Sequence, residues 1–129
     1  MRVAYLDTSY LVAVVLKEPG WQRLRTALRP YTAILSSDLL AAELLAVLRR
    51  EELPTEAARA WLGGIQWLYP DRSLRPEMER VLAHGYVRGA DLWHLACACF
   101  VAAETRELPF LSRDARQRDV AAALGFPIP

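Results

Sequence analysis

The sequence has few of the residues that bind zinc or form disulfides. Its 129 residues include only two cysteines and two histidines. Cys97 and Cys99 are two apart in a stretch predicted to be helical, so they point to nearly opposite sides and do not pair with each other. We expect buried free thiols in a reducing compartment. A zinc site would need more cysteine and histidine than this chain has.

Long apolar runs are also missing. The run near the N-terminus, Tyr10 to Leu16, is far shorter than the roughly 20 residues that span a bilayer. Asp7 precedes it and no small-residue cleavage site follows, which argues against a signal peptide. The sequence therefore predicts a cytoplasmic protein without membrane contact. Because 53% of its residues are hydrophobic, residues 1–129 are expected to form a single domain with a packed core.

Acidic and basic residues nearly balance, with 16 Lys and Arg against 15 Asp and Glu and a net charge of +1. Lys17 is the only lysine, so the remaining basic residues are all arginines. Four acids, discussed below, stand in apolar settings. If a metal ion holds those four, the rest of the chain has 16 basic and 11 acidic residues. Such a moderately basic surface suits a polyanion such as nucleic acid.

Short apolar strands and amphipathic helices alternate along the chain. Strands are predicted at residues 2–6, 31–35 and 108–111, with further short strands open after residue 71 and at 126–128. Helices are predicted at 10–16 (with Thr8 or Ser9 as cap), 21–28, 39–50, 56–67, 76–87, 91–103 and 115–124. This alternation predicts an α/β fold in which a parallel sheet lies between two layers of helices.

Two acids follow predicted strands. Asp7 comes directly after the first strand, and Asp114 follows the strand at 108–111. The carboxyl ends of parallel strands share one edge of the sheet, where open α/β sheets bind their ligands. Taken alone, Asp7 is explained equally well as the cap of the following helix.

Two more acids belong to strongly apolar helices. Glu43 is the single charged residue between Leu39 and Leu48, with no basic residue three or four positions away. A buried carboxylate is costly unless it is paired or bound to metal, so a metal ligand and an ion pair with a distant arginine are both open. Asp91 stands in the first helical turn, where it could also be a cap. His94, one turn on, could orient Asp91 or be a packed structural histidine.

All four acids can face one cleft in such a fold. At about 4 Å and an effective dielectric constant near 20, two like charges repel by roughly 4 kcal/mol, so the group would largely protonate without a cation. Oxygen ligands select a hard ion, Mg²⁺ or Mn²⁺. Such an ion polarises a phosphate and activates a water as nucleophile, which points to phosphodiester hydrolysis.

Four segments resemble those of PIN-domain endoribonucleases, and in size the chain is similar to VapC-like toxins of bacterial toxin–antitoxin pairs. The segments are Val3-Ala4-Tyr5-Leu6-Asp7-Thr8-Ser9, Ala42-Glu43-Leu44-Leu45, Asp91-Leu92-Trp93-His94-Leu95-Ala96 and Leu111-Ser112-Arg113-Asp114. Their order and spacing span nearly the whole chain. The family's final acid often has Thr two residues before it, and here that position is Ser112, which keeps the hydroxyl.

The resemblance implies a three-layer α/β/α sandwich with a mainly parallel five-stranded sheet and a Mg²⁺ or Mn²⁺ site. It implies that Asp7, Glu43, Asp91 and Asp114 are catalytic metal ligands, with Ser9 and Ser112 as supporting hydroxyls. It also implies cleavage of single-stranded or structured RNA that leaves 5′-phosphate and 3′-hydroxyl ends. Finally, the resemblance implies that the protein forms a homodimer and is inhibited by a cognate antitoxin that lies across the cleft.

Other interpretations stay open at this point. Arg113, Arg116 and Arg118 surround Asp114 in sequence and are candidate RNA contacts, although a solvated helix face explains them as well. A phospho-receiver domain would need a lysine late in the chain, and an Asp-nucleophile phosphatase would need a second Asp in place of Ser9. A PIN-like RNA- or protein-binding module with little or no nuclease activity is the main alternative.

Overall fold

The computed structural model describes residues 2–129. Strands and helices alternate as the sequence predicts. The strands are β1 (Val3–Leu6), β2 (Ala33–Ser37), β3 (Gln66–Leu68) and β4 (Phe110–Leu111). The helices are α1 (Thr8–Val15), α2 (Trp21–Ala27), α3 (Asp38–Arg50), α4 (Glu56–Gly63), α5 (Arg75–Leu82), α6 (Gly89–Val101) and α7 (Ala115–Ala123), with a short 3₁₀ turn at Thr105–Glu107.

The strands form one parallel sheet in the order β3-β2-β1-β4. β1 lies in the interior, between β2 and β4, and Leu6 at its end is opposite Leu111 at the end of β4. This register brings the residues that follow both strands to the same edge of the sheet. The topology therefore explains why Asp7 and the segment from Ser112 to Asp114 meet.

Helices cover both faces of the sheet, as predicted for a three-layer sandwich. Successive side chains of a strand point to opposite faces, and in β1 the ring of Tyr5 points into the core formed with α5, α6 and α7. Ala4 and Leu6 point into the core formed with α1 to α4. Across the sheet, the Tyr5 ring stacks on Phe110 with ring centroids 5.4 Å apart. Both faces of the central strands are thus buried, as the apolar strand sequences indicate.

The sheet has four strands within residues 2–129, whereas five were expected. The segment at 126–128 lies where an edge strand was considered, and the backbone N–H of Phe110 donates to the carbonyl of Pro127 at 2.9 Å. No ladder continues from this bond. Pro127 and Pro129 lack the N–H groups that a strand needs.

The third strand lies earlier than expected. The sequence suggested a helix from 56 to 67 with a strand after residue 71, but α4 ends at Gly63 and β3 occupies Gln66–Leu68. Gly63 and Gly64 disfavour helix by about 1 kcal/mol each relative to alanine. Ile65 is buried in the core formed with α1 to α4. Its burial favours pairing of the next residues with the sheet over a longer helix.

Other boundaries move by a few residues. α1 begins at Thr8, and its cap is Asp7 rather than Thr8 or Ser9. β2 begins at Ala33, two residues later than predicted. β4 is reduced to Phe110–Leu111 because Pro109 precedes it and cannot donate to the ladder.

Both cysteines belong to α6 and are buried free thiols in the core, as expected. Burial raises the pKa of Cys97 to about 12, so its thiol stays protonated at neutral pH. Among residues 2–129, no helix has both the length and the apolar character needed to cross a membrane.

Candidate active site

Asp7 lies at the carboxyl end of β1 and is almost completely buried, with 2% of its surface exposed. Its Oδ2 accepts hydrogen bonds from the backbone N–H of Ser9, at 3.0 Å, and from the Ser9 hydroxyl. The capping interpretation of Asp7 is therefore confirmed. Capping uses only Oδ2, so Oδ1 is left for other partners.

The two serines predicted as supporting hydroxyls both lie beside Asp7. The hydroxyls of Ser9 and Ser112 are 3.3 Å apart, and that of Ser112 is 3.4 Å from Asp7 Oδ2. The Ser9 hydroxyl also accepts from the backbone N–H of Arg113 at 3.0 Å. These contacts fix the end of β4 against the end of β1.

Gln117 connects three of the four acidic residues through its own atoms. Its Nε2 donates to Asp7 Oδ1 at 3.0 Å and lies 3.4 Å from the backbone oxygen of Asp91. Its backbone N–H donates to Asp114 Oδ1 at 2.8 Å, which makes Asp114 the cap of α7. Its Oε1 accepts from the Ser112 hydroxyl at 2.6 Å, so the completely buried amide is satisfied at both ends.

Gln117 was not among the predicted site residues, although the helical spacing contains a signal for it. Positions 117, 120, 121 and 124 repeat at the intervals of one helix face, and Val120, Ala121 and Leu124 are apolar. A glutamine on that face is predicted to be buried, and a buried amide must find partners. Only the fold shows that Asp7 and Asp91 supply them.

Glu43 belongs to a second hydrogen-bonded group, built around His94. Its Oε1 accepts from the Thr8 hydroxyl at 2.7 Å and is 3.3 Å from His94 Nε2. The other ring nitrogen of His94, Nδ1, is 2.8 Å from the Tyr5 hydroxyl. No arginine forms an ion pair with Glu43 within the described part of the chain, so the structural ion-pair alternative is not observed.

His94 lies against Glu43 rather than against the Asp91 side chain. The sequence suggested that His94 could orient Asp91, but α6 turns the imidazole toward β1 and α3, where it also lies 3.9 Å from Asp7 Oδ1. Because an ionised carboxylate only accepts, Nε2 carries the proton that faces Glu43. The hydrogen bonds from His94 and Thr8 lower the pKa of Glu43, although its partial burial opposes them.

Asp91 lies in the first turn of α6, as predicted, but Arg88 occupies the cap position. The Arg88 guanidinium is 3.7 Å from the Asp91 carboxylate. Burial raises the pKa of Asp91, the negative charges of Asp7 and Asp114 raise it further, and Arg88 opposes the rise. Asp7 and Asp114 are thus close enough for their charges to act on Asp91.

A shallow depression of about 250 Å³ opens beside these aspartates. We call it the arginine-lined depression, and it is lined by Tyr86, Arg88, Asp91, Asp114 and Arg116. Of the three arginines predicted to contact RNA, only Arg116 lines it. Arg113 is exposed next to Ser112, and Arg118 is half-buried further along α7.

No three His, Cys, Asp or Glu side chains within residues 2–129 are arranged so that they could together hold a metal ion. The acids instead form two hydrogen-bonded groups, one around Gln117 and one around His94. A surface cavity of about 570 Å³ lies elsewhere and contains none of the four acids. Trp61, Tyr31, Arg25 and Arg29 are among the residues that line it.

Replacing Asp91 with asparagine should stabilise the metal-free protein near neutral pH. A carboxyl whose pKa is raised on folding destabilises the native state wherever it is ionised, that is, above its unfolded pKa of about 3.9. We expect Tm to rise by a few degrees at pH 7 in EDTA and the gain to disappear below about pH 4. Lost contact with the exposed Arg88 offsets little of this gain.

Thermal unfolding at the two pH values measures this effect. Asp71→Asn is the matched control, because Asp71 is exposed in the segment between β3 and α5, and its Tm should not change. A Tm for Asp91→Asn equal to or below that of the wild type at pH 7 would show that the carboxylates do not repel one another.

Comparison with known proteins identifies the family of this chain. The PIN domain family matches residues 4–123. The chain belongs to the PIN-domain family. It is similar to Ribonuclease VapC46 of Mycobacterium tuberculosis (strain ATCC 25618 / H37Rv), with 31% identity over 99% of this chain and 97% of that protein.

Proposed function

We propose that this protein is a metal-dependent endoribonuclease and the toxin of a VapBC-type toxin–antitoxin pair. The observation that carries the proposal is the group of Asp7, Asp91 and Asp114 around the buried amide of Gln117, at the carboxyl edge of a parallel sheet. Membership of the PIN-domain family and the similarity to a ribonuclease support a nuclease. We also propose that residues 1–129 act as one PIN-like domain.

Asp7, Asp91 and Asp114, with Glu43, are the proposed ligands of Mg²⁺ or Mn²⁺. Their donor atoms fit such an ion, because all are carboxylate oxygens. Burial raises the pKa of Asp91 most, and the charges of Asp7 and Asp114 add a repulsion that a bound cation would relieve. A set of three protein ligands is not required, since Mg²⁺ is usually held by one or two carboxylates together with waters and substrate phosphates. PIN-domain ribonucleases generally use divalent metals.

The chemistry supplied by such a cation is polarisation of the scissile phosphate and activation of a water for attack. The residues of this chain provide position and charge. Gln117 and Ser9 orient the Asp7 carboxylate, and the Ser112 hydroxyl holds the amide of Gln117. Thr8 and His94 keep Glu43 ionised and fix its direction. Arg116 provides positive charge toward an approaching phosphate, and Arg113 and Arg118 are further candidates.

The proposed partners are an RNA substrate, a cognate antitoxin and a second copy of the chain in a homodimer. The relative's designation as a ribonuclease of the VapC series supports RNA and the toxin assignment. A small open reading frame next to the gene would support the antitoxin. We also propose that the protein is located in the cytoplasm, where cellular RNA would be its substrate.

Cleavage of a mixed RNA pool tests the proposal. We expect cleavage with added Mg²⁺ or Mn²⁺ and none in EDTA, and products with 5′-phosphate and 3′-hydroxyl ends. Cleavage that persists in EDTA, or cyclic phosphate ends, would contradict the metal-dependent mechanism. A folded protein that binds RNA but leaves it intact with either metal would instead favour the RNA-binding module.

A further inference from the structure

An exposed tyrosine stands at the edge of the proposed active site. Tyr86 lies in the loop between α5 and α6, lines the arginine-lined depression and is 64% exposed. The guanidinium of Arg116 lies 5.5 Å from the centre of its ring. The ring is therefore accessible to a substrate that reaches Asp91 and Asp114, which line the same depression.

The fold holds this loop closely against α7. Gly85 adopts a φ of +155°, and a Cβ built on it would lie 2.9 Å from Cγ2 of Val120. A side chain at position 85 would therefore push the loop away from α7, which carries both Val120 and Arg116. Glycine at this position allows Tyr86 and Arg116 to share one wall of the depression.

The size and chemistry of the depression favour part of a polymer. Its volume of about 250 Å³ is below the roughly 300–1,000 Å³ of sites that enclose small molecules. An exposed aromatic ring beside arginines is the combination that binds single-stranded nucleic acids, because bases stack on the ring and phosphates pair with the cations. The carboxylates in the same depression would repel an anion unless the cation of the proposed function is bound.

We propose that Tyr86 and Arg116 form a binding site for one unpaired nucleotide of the RNA substrate, next to Asp91 and Asp114. The base stacks on Tyr86 and the adjoining phosphate contacts Arg116. This inference rests on the proposed function. It names the residues that would hold an unstacked base, and it predicts that this site binds single strands, loops and bulges better than continuous duplex.

The test measures RNA affinity in the presence of Mg²⁺ on proteins that keep all four acids, with phosphorothioate-linked probes whose integrity is checked on a gel after each titration. The probes are a short fluorescent single-stranded RNA and the same RNA annealed to its complement. Tyr86→Leu removes the aromatic ring, and Tyr86→Phe retains it. Tyr69→Leu is the matched control, since Tyr69 is 69% exposed and lies outside the depression.

We expect Tyr86→Leu to weaken binding of the single strand by about 5- to 150-fold, which is the range for loss of one stacked base. Tyr86→Phe and Tyr69→Leu should bind like the parent. Binding of the duplex should be weaker than that of the single strand and should not depend on Tyr86.

Equal affinity of Tyr86→Leu and the parent for the single strand would overturn the inference. So would an equal loss for Tyr69→Leu, because the effect would then not belong to the depression. In either case, metal-dependent cleavage by the wild type would leave the proposed function standing. If the wild type neither binds nor cleaves RNA, the proposed function fails and the nucleotide site fails with it.

Discussion

Asparagine in place of Asp7 is expected to abolish RNA cleavage while the protein stays folded. Asp7 is the most buried of the four acids, and the proposed ion would lose one of its carboxylates. Loss of a group that only orients a metal ligand costs about 10- to 100-fold, so loss of the ligand itself should cost at least about 100-fold. The helix cap is kept, since asparagine caps as well as aspartate, but its amide nitrogen would replace the oxygen that accepts from Gln117 Nε2, so we expect a loss of about 1–3 kcal/mol in the free energy of unfolding.

The chain offers a matched control in Asp38. Like Asp7, Asp38 directly follows a strand of the sheet and begins a helix, but its side chain is exposed. Rates of metal-dependent cleavage for Asp7→Asn and Asp38→Asn, with circular dichroism as the check on folding, form the comparison. Undiminished cleavage by a folded Asp7→Asn protein would show that the acidic group is not the catalytic site.

Glutamate in place of Gln117 should weaken both stability and cleavage. The substitution keeps the shape of the side chain but replaces the Nε2 donor, 3.0 Å from Asp7 Oδ1, with a carboxylate oxygen. Two such charges at about 4 Å repel by roughly 4 kcal/mol at an effective dielectric constant near 20. We expect a loss of about 2–4 kcal/mol in the free energy of unfolding at pH 7 in EDTA, and cleavage reduced about 10- to 100-fold.

The pH dependence distinguishes charge repulsion from a packing defect. Burial and the neighbouring aspartates would raise the pKa of the introduced carboxyl above its unfolded value of about 4.3. The stability loss should therefore grow as the pH rises above that value and disappear below it. Gln22→Glu, at an exposed position of α2, should have no effect. A loss for Gln117→Glu that is the same at pH 4 and pH 7 would contradict the repulsion.

The fold was largely predictable because its signals are local. Apolar strands such as Val3–Leu6 and helices such as Asp38–Arg50 follow from spacing and composition. The errors fell where local signals conflict with packing. The helix predicted through residue 67 ended at Gly63, because burial of Ile65 and pairing of β3 with β2 outweigh the helical pattern. A fifth strand did not form where prolines remove the donors.

The acidic group was predictable in its members and not in its contacts. Asp7, Glu43, Asp91 and Asp114 stand out in the sequence because each interrupts an apolar setting or follows a strand. Their hydrogen-bond partners do not stand out in the same way. His94 lies one helical turn from Asp91 in sequence, yet the orientation of α6 directs its ring to Glu43, which is 51 residues away in the chain.

The sequence by itself determined the alternation of strands and helices and the two buried faces of the sheet, because these depend on hydrophobic periodicity. It also determined which acids stand out, because burying a charge is costly. Only the tertiary structure decided that Gln117 joins Asp7 and Asp91, that the ring of His94 contacts Glu43, and that Tyr86 lies beside Arg116. Each of these contacts joins different elements of the fold, and its geometry follows from how helices pack on the sheet.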